Sequence, residues 1–127
     1  MIEREIEKAI ESDFFTGKAI LVLGPRQVGK TTLIQKILQN RKHLFLNADD
    51  STVRQLLNEP DTFRLQQIIG DHTIVYIDEA QRIPKVGLTL KLITDQFKAV
   101  QLIVTGSSAL ELSNEANEPL TGRKWEY

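Results

Sequence analysis

With 127 residues, 41% of them hydrophobic, the chain is long enough for one domain with a real core and not comfortably for two. Its 16 basic and 17 acidic side chains nearly cancel and are scattered, so no strong field favours nucleic acid or an acidic membrane. The absence of Cys excludes disulfides and thiolate metal sites and suits a reducing cytosol.

Ile2, Ile6, Ala9 and Ile10 recur at helical spacing, with Arg4, Lys8 and Glu11 on the other face, so residues 2–12 are expected to form an amphipathic helix. Its alternating charge is unlike the core of a signal peptide. AILVL (19–23) is a continuous apolar run ended by Gly24, the pattern of a strand buried on both faces of a parallel sheet. It is also the longest apolar stretch and far too short to span a bilayer, which leads us to expect a soluble, cytoplasmic domain with no membrane partner. Helical spacing returns over 31–39 through Leu33, Ile34, Ile37 and Leu38. The short basic set Arg41-Lys42-His43 reads as a solvated turn before a second strand, HLFLN (43–47).

The cluster Asp49-Asp50-Ser51 offers an N-cap, with Asp50 read first in that role, to a helix near 52–58. Pro60-Asp61 restarts a helix that Gly70 stops. A third strand, TIVYI (73–77), precedes a helix near 86–97 and a fourth strand, QLIVT (101–105). Strands alternating with helices, without hairpin signals, imply an α/β fold with a parallel sheet covered on both faces.

Two strand ends carry chemistry. GPRQVGKT fits G-x-x-x-x-G-K-[ST] through Gly24, Gly29, Lys30 and Thr31, between a strand and a helix as that loop requires. Gly24 lets the chain leave the strand sharply, and Gly29 lets backbone approach phosphate oxygens. N–H groups from Gln27, Val28, Gly29, Lys30, Thr31 and Thr32 would face the anion at the positive end of the helix; Pro25 has none to give. Lys30 would set its ammonium against the outer phosphates, and the Thr31 hydroxyl would join the shell of Mg²⁺. Independently, TIVYIDEA places Asp78 and Glu79 at a strand's carboxyl end, where ligands of parallel sheets sit. There Asp78 would accept from Mg²⁺-bound water and Glu79 would polarise the attacking water. Acids at this place otherwise cap the following helix.

A third strand end, VTGSSALEL, brings the hydroxyls of Thr105, Ser107 and Ser108 to the same rim. One would orient water or touch the terminal phosphate; equally, Ser107 or Ser108 would cap a helix starting near Ala109. Arg123 would act as an arginine finger on a neighbour's nucleotide or lie exposed as ordinary surface, and Arg26 and Arg82 read the same way. These residues lead us to expect Mg²⁺-dependent binding and hydrolysis of a nucleoside triphosphate; the alternative is a nucleotide-dependent switch with negligible turnover. Nothing in them argues for nucleic acid.

GPRQVGKTTL, YIDEAQRIP, VTGSSALEL and LTGRKWEY together resemble the prokaryotic AAA+-type ATPases that join an N-terminal ATPase core to an uncharacterised C-terminal domain. The resemblance implies a P-loop NTPase three-layer sandwich of strand order 5-1-4-3-2, occupying residues 17–127 after a helix and lead-in at 1–16. It also implies ATP as the nucleotide, a sensor-like residue among Thr105 to Ser108, and Arg123 placed for a homo-oligomeric contact. Members of the group run on past LTGR into a lid and a further domain, so the chain reads as a core without them.

Overall fold

In the computed structural model, residues 2–24, 29–107, 122 and 124–127 are described. Their elements run α1 (Ile2–Ser12), β1 (Ala19–Leu23), α2 (Lys30–Leu38), β2 (Leu44–Asn47), α3 (Ser51–Leu56), α4 (Thr62–Ile69), β3 (Ile74–Asp78), α5 (Val86–Gln96), β4 (Gln101–Gly106) and β5 (Lys124–Glu126). A 3₁₀ turn over Ala80–Arg82 follows β3. All four strand pairings are parallel, and the order across the sheet is β2-β3-β4-β1-β5, the order that the resemblance implies.

The apolar runs have a direct structural cause. Successive side chains of a strand point to opposite faces, so a run without alternation needs cover on both. Ala19 and Leu21 of β1, Val75 and Ile77 of β3, and Leu102 and Val104 of β4 pack with Leu57, Leu65, Ile69, Leu90 and Ile93, under α3, α4 and α5. Their neighbours Ile20, Val22, Ile74, Tyr76 and Ile103 pack on the other side with Ile10, Phe14, Ile34, Ile37 and Leu38, from α1 and α2 and their ends. The result is a sheet between two helical layers, and α1 is part of one layer through Ile10 and Phe14.

Helix starts follow the polar signals. Asp50 accepts from the Thr52 N–H and Asp61 from the Arg64 N–H, each acid supplying a partner for a backbone donor that the first turn leaves orphaned. The two helices begin one or two residues from their expected starts, and the first ends at Leu56. The strand expected at 73–77 occupies Ile74–Asp78, so Asp78 is itself a strand residue paired opposite Asn47. The basic turn at 41–43 is solvated as expected: Arg41 meets Glu11 and Lys42 meets Asp71 at the surface.

In this order β1, which leads into the glycine loop, lies beside β4, and β4 beside β3. The ends of these three strands therefore meet at one rim. There Gly24 N–H donates to the Gly106 carbonyl, 3.1 Å away, closing β1 onto β4.

Candidate functional site

At the carboxyl rim of the sheet a cavity of about 300 Å³ is lined by Gly29, Lys30, Thr31, Thr32, Asp49, Asp78 and Glu79. Gly29 caps α2 at φ 71°, ψ 33°, in the left-handed region that glycine enters at least cost. A Cβ there would meet nothing within 4 Å, so the backbone angle and not crowding calls for glycine. Gly29, at the N-cap, has no side chain with which to cap α2. Helix geometry leaves the first N–H groups of α2 without partners inside the helix, and Lys30, Thr31 and Thr32 at that end line the cavity. Gly24, at φ 149°, takes the chain off β1 through an angle that L side chains rarely adopt.

Lys30, Asp78 and Glu79 are each only 5% exposed, so three ionisable groups leave water within one small volume. Burial of that kind is tolerated only with close partners. The Lys30 ammonium donates to the Gly24 carbonyl at 2.7 Å. The Thr31 hydroxyl lies 3.0 Å from both carboxylate oxygens of Asp78. This joins the start of α2 to the end of β3 across the sheet.

A second hydroxyl reaches the same carboxylate: Thr105 Oγ1 donates to Asp78 Oδ1. Since a carboxylate only accepts and Thr105 has one proton, the Tyr76 phenol, 3.2 Å from Thr105, must be the donor in that pair. The relay runs Tyr76 to Thr105 to Asp78. Burial pushes the Tyr76 phenol well above its ordinary range, and the nearby Asp78 charge adds to it.

Glu79 stands next in sequence but differs in backbone. It adopts φ 56°, ψ 45°, a left-handed conformation that costs a non-glycine residue roughly 1–2 kcal/mol. Its carboxylate accepts from Gln81 Nε2 at 3.2 Å, and Gln81 Oε1 accepts from the Ser107 N–H at 3.0 Å.

The structure therefore brings together Gly24, Gly29, Lys30, Thr31, Thr32, Asp78 and Glu79 from the expected set, with the backbone of Ser107 tied in through Gln81. Gln27, Val28, Ser108, Arg26 and Arg123 lie outside the described residues. Three members were not expected. Asp49 lines the cavity, and its carboxylate meets Arg82 at 3.0 Å, so the neighbour of the capping acid faces the site and Arg82 is a partner in it. The signal was available: Asp49 lies two residues beyond a strand that ends at the same rim. Tyr76 and Gln81 were not legible, because the bonds to Thr105 and Ser107 that tie them in are set by β4.

The Thr31 and Asp78 geometry fits a divalent cation of the Mg²⁺ kind. Two hydroxyl protons do not fill the four acceptor sites of a carboxylate, and a threonine oxygen that donates its proton keeps lone pairs for a metal. Hard oxygen donors of this kind suit Mg²⁺.

A profile of an AAA domain family matches residues 16–127. The chain belongs to this family. Two curated relatives are uncharacterized proteins of Mycobacterium tuberculosis and Mycobacterium bovis, each 30% identical over 105 residues that make up 82% of this chain and 23% of the relative. The chain thus spans about a quarter of the length of the curated relatives it matches. Among solved structures, a DNA replication initiation factor superposes with TM-score 0.68 at 16% identity, over 96% of this chain and 44% of the other. The Walker-type ATPase of Pyrococcus abyssi superposes at 0.57 with 18% identity, over 98% and 51%. At these identities the likeness is one of fold. Family and fold together make this AAA chain a P-loop core of the nucleotide-binding ATPase type. Among its described residues, no helix is long and apolar enough to cross a membrane.

Proposed function

We propose that the chain binds ATP together with Mg²⁺ and hydrolyses it at the rim formed by the ends of β1, β3 and β4. The observation that carries this reading is the meeting of Thr31 with Asp78 at 3.0 Å, beside the buried Lys30 and Glu79. N–H groups at the start of α2 and the Lys30 ammonium would hold the phosphates. Thr31 and Asp78 would hold the cation, which when bound neutralises charge on the outer phosphates. The Glu79 carboxylate would take a proton from water as the water oxygen bonds the terminal phosphorus, while the bond from that phosphorus to the bridging oxygen breaks and the oxygen leaves with ADP. Burial favours this chemistry, since a dry site strengthens each of these electrostatic interactions.

The test measures ATP binding and phosphate release for the wild type, Glu79→Gln and Lys30→Ala. Turnover should need Mg²⁺. Glu79→Gln should bind ATP and turn over about 100-fold or more slowly, as expected when a general base is lost, and Lys30→Ala should lose binding. Equal turnover by Glu79→Gln, or binding indifferent to Lys30→Ala, would overturn the proposal. Binding by the wild type without phosphate release would establish the nucleotide switch instead.

A further inference from the structure

We propose that Gln81 is a positioning residue that tethers the Glu79 carboxylate to the backbone at the end of β4. The inference rests on the reading of Glu79 as the base, and it names a residue that the phosphate-binding sequence does not include. Three observations support it. The orientation of the Gln81 amide is fixed by its partners: a carboxylate can only accept and a backbone N–H can only donate, so Nε2 must face Glu79 and Oε1 must face Ser107. Both ends of the amide are therefore engaged, at 3.2 Å and 3.0 Å. Second, the tether spans two different strand ends, β3 and β4, so it fixes the acid relative to the rim and not merely relative to its own turn. Third, Glu79 sits in a strained left-handed conformation with its main chain already committed, its carbonyl accepting from the Arg82 N–H at 3.1 Å.

The physical consequence concerns aim. A carboxylate that must meet one water within hydrogen-bond reach loses efficiency when its side chain samples other rotamers. The Gln81 amide removes that freedom from one oxygen. It also makes the position of Glu79 depend on where Ser107 lies, so a shift at the end of β4 reaches the base through a single side chain.

The experiment combines kinetics with unfolding of the nucleotide-free chain. Gln81→Ala should lower kcat about 10- to 100-fold, the scale of one hydrogen bond to a charged group, with KM for ATP changed less than about twofold, because its hydrogen bonds go to Glu79 and the Ser107 backbone and not to Lys30 or the start of α2. In the Glu79→Gln background, Gln81→Ala should have no further effect on kcat, since a residue that acts through Glu79 has nothing left to act on. Gln81→Glu keeps an acceptor for Ser107 but sets two carboxylates face to face, so its thermal midpoint without nucleotide should fall. Adding Glu79→Gln restores one donor and one acceptor with exchanged roles, and the midpoint should recover. Wild-type kcat in Gln81→Ala, a loss that multiplies with that of Glu79→Gln, or additive unfolding midpoints would each overturn the tether. Wild-type turnover in Glu79→Gln would instead overturn the reading of the base, and the unfolding cycle alone would then decide whether the tether exists.

Discussion

The two ends of the sheet both bury polar groups and both strain the backbone, yet they spend their polar groups differently. Among the described residues, the two non-glycine residues at positive φ are Phe15, at 58°, and Glu79, at 56°, one at each end. Each has a glutamine beside it. At the amino end Gln101, 2% exposed, accepts from the Phe15 N–H and donates to the carbonyls of Lys18 and Leu102. Its amide is spent wholly on backbone, and it closes the turn that brings the chain from α1 into β1. At the carboxyl end Gln81 spends half its amide on an acid. Asp78 beside it receives two hydroxyl protons where a carboxylate can accept about four bonds. Buried polarity by itself marks neither end as a site; spare acceptor capacity beside a cavity does.

The sharpest way to break this comparison is to exchange losses between the ends. Asp78→Asn keeps the shape but removes the charge that would hold the cation, and turnover should fall by about 100-fold or more, the scale seen when one electrostatic contact to a reacting phosphate or oxyanion is removed. Its thermal midpoint should move little. Gln101→Ala should do the reverse. It orphans buried backbone groups at roughly 1–3 kcal/mol each, so a total near 3 kcal/mol and a midpoint lower by about 10 °C are expected, with turnover within about twofold of wild type. Calorimetry and phosphate release on the same preparations decide it. A Gln101→Ala chain that loses turnover at temperatures where it remains folded would show that the two ends are not separable.

Why one end was easier to read than the other is a matter of range. The strands were legible because burial on both faces leaves unbroken apolar runs such as AILVL, and the phosphate loop because its glycines, lysine and threonine lie within eight residues. Asp50 and Asp61 were legible as caps because a cap is a local bond. The strand order was not written in the periodicity; it came with the family resemblance and holds in the structure. Asp49 was passed over because the neighbouring Asp50 already explained the acidic cluster. Gln81, Gln101 and Tyr76 were not legible, since each has a partner more than twenty residues away that only the fold brings near: Ser107, Phe15 and Thr105. The left-handed backbone of Glu79 was hidden for a related reason: where glycine is absent, only the fold can impose positive φ.

That strain supplies a smaller and more discriminating expectation. At ordinary positions alanine is more stable than glycine, because glycine loses more freedom on folding. At Phe15 and Glu79 the order should invert. Phe15→Gly should be more stable than Phe15→Ala, and Glu79→Gly more stable than Glu79→Ala, by about 1 kcal/mol in each pair. Comparing glycine with alanine cancels what each native side chain contributes, including the edge contact of Phe15 with Phe14 at 6.4 Å. Urea unfolding at constant slope measures both pairs. Inversion at Phe15 alone would show that the backbone at Glu79 relaxes without its side chain. The carboxylate and its bond to Gln81, and not the packing of the turn, would then hold position 79 in its strained form.

The smallest effect should come from the surface pair Lys42–Asp71, 3.3 Å apart at the start of the second and third strands, where both side chains are largely exposed. The hydrogen bond and charge of Lys42 lower the Asp71 pKa below its ordinary value. A carboxyl group whose pKa is lower in the folded state stabilises the fold above its unfolded value and loses that contribution as the pH falls through the folded one. Asp71→Asn should therefore differ from wild type most above about pH 4, the ordinary carboxylate range, and converge with it in stronger acid. Because the pair is bathed in solvent, the difference should shrink further at about 1 M salt, where charges are screened within a few ångströms. Thermal midpoints at both salt concentrations, on either side of that pH, measure it. A gap that persists in high salt would mean that Asp71 acts through the turn it occupies before β3 and not through charge, which would make the amino end of the sheet depend on polar capping as closely as the carboxyl end depends on Asp78.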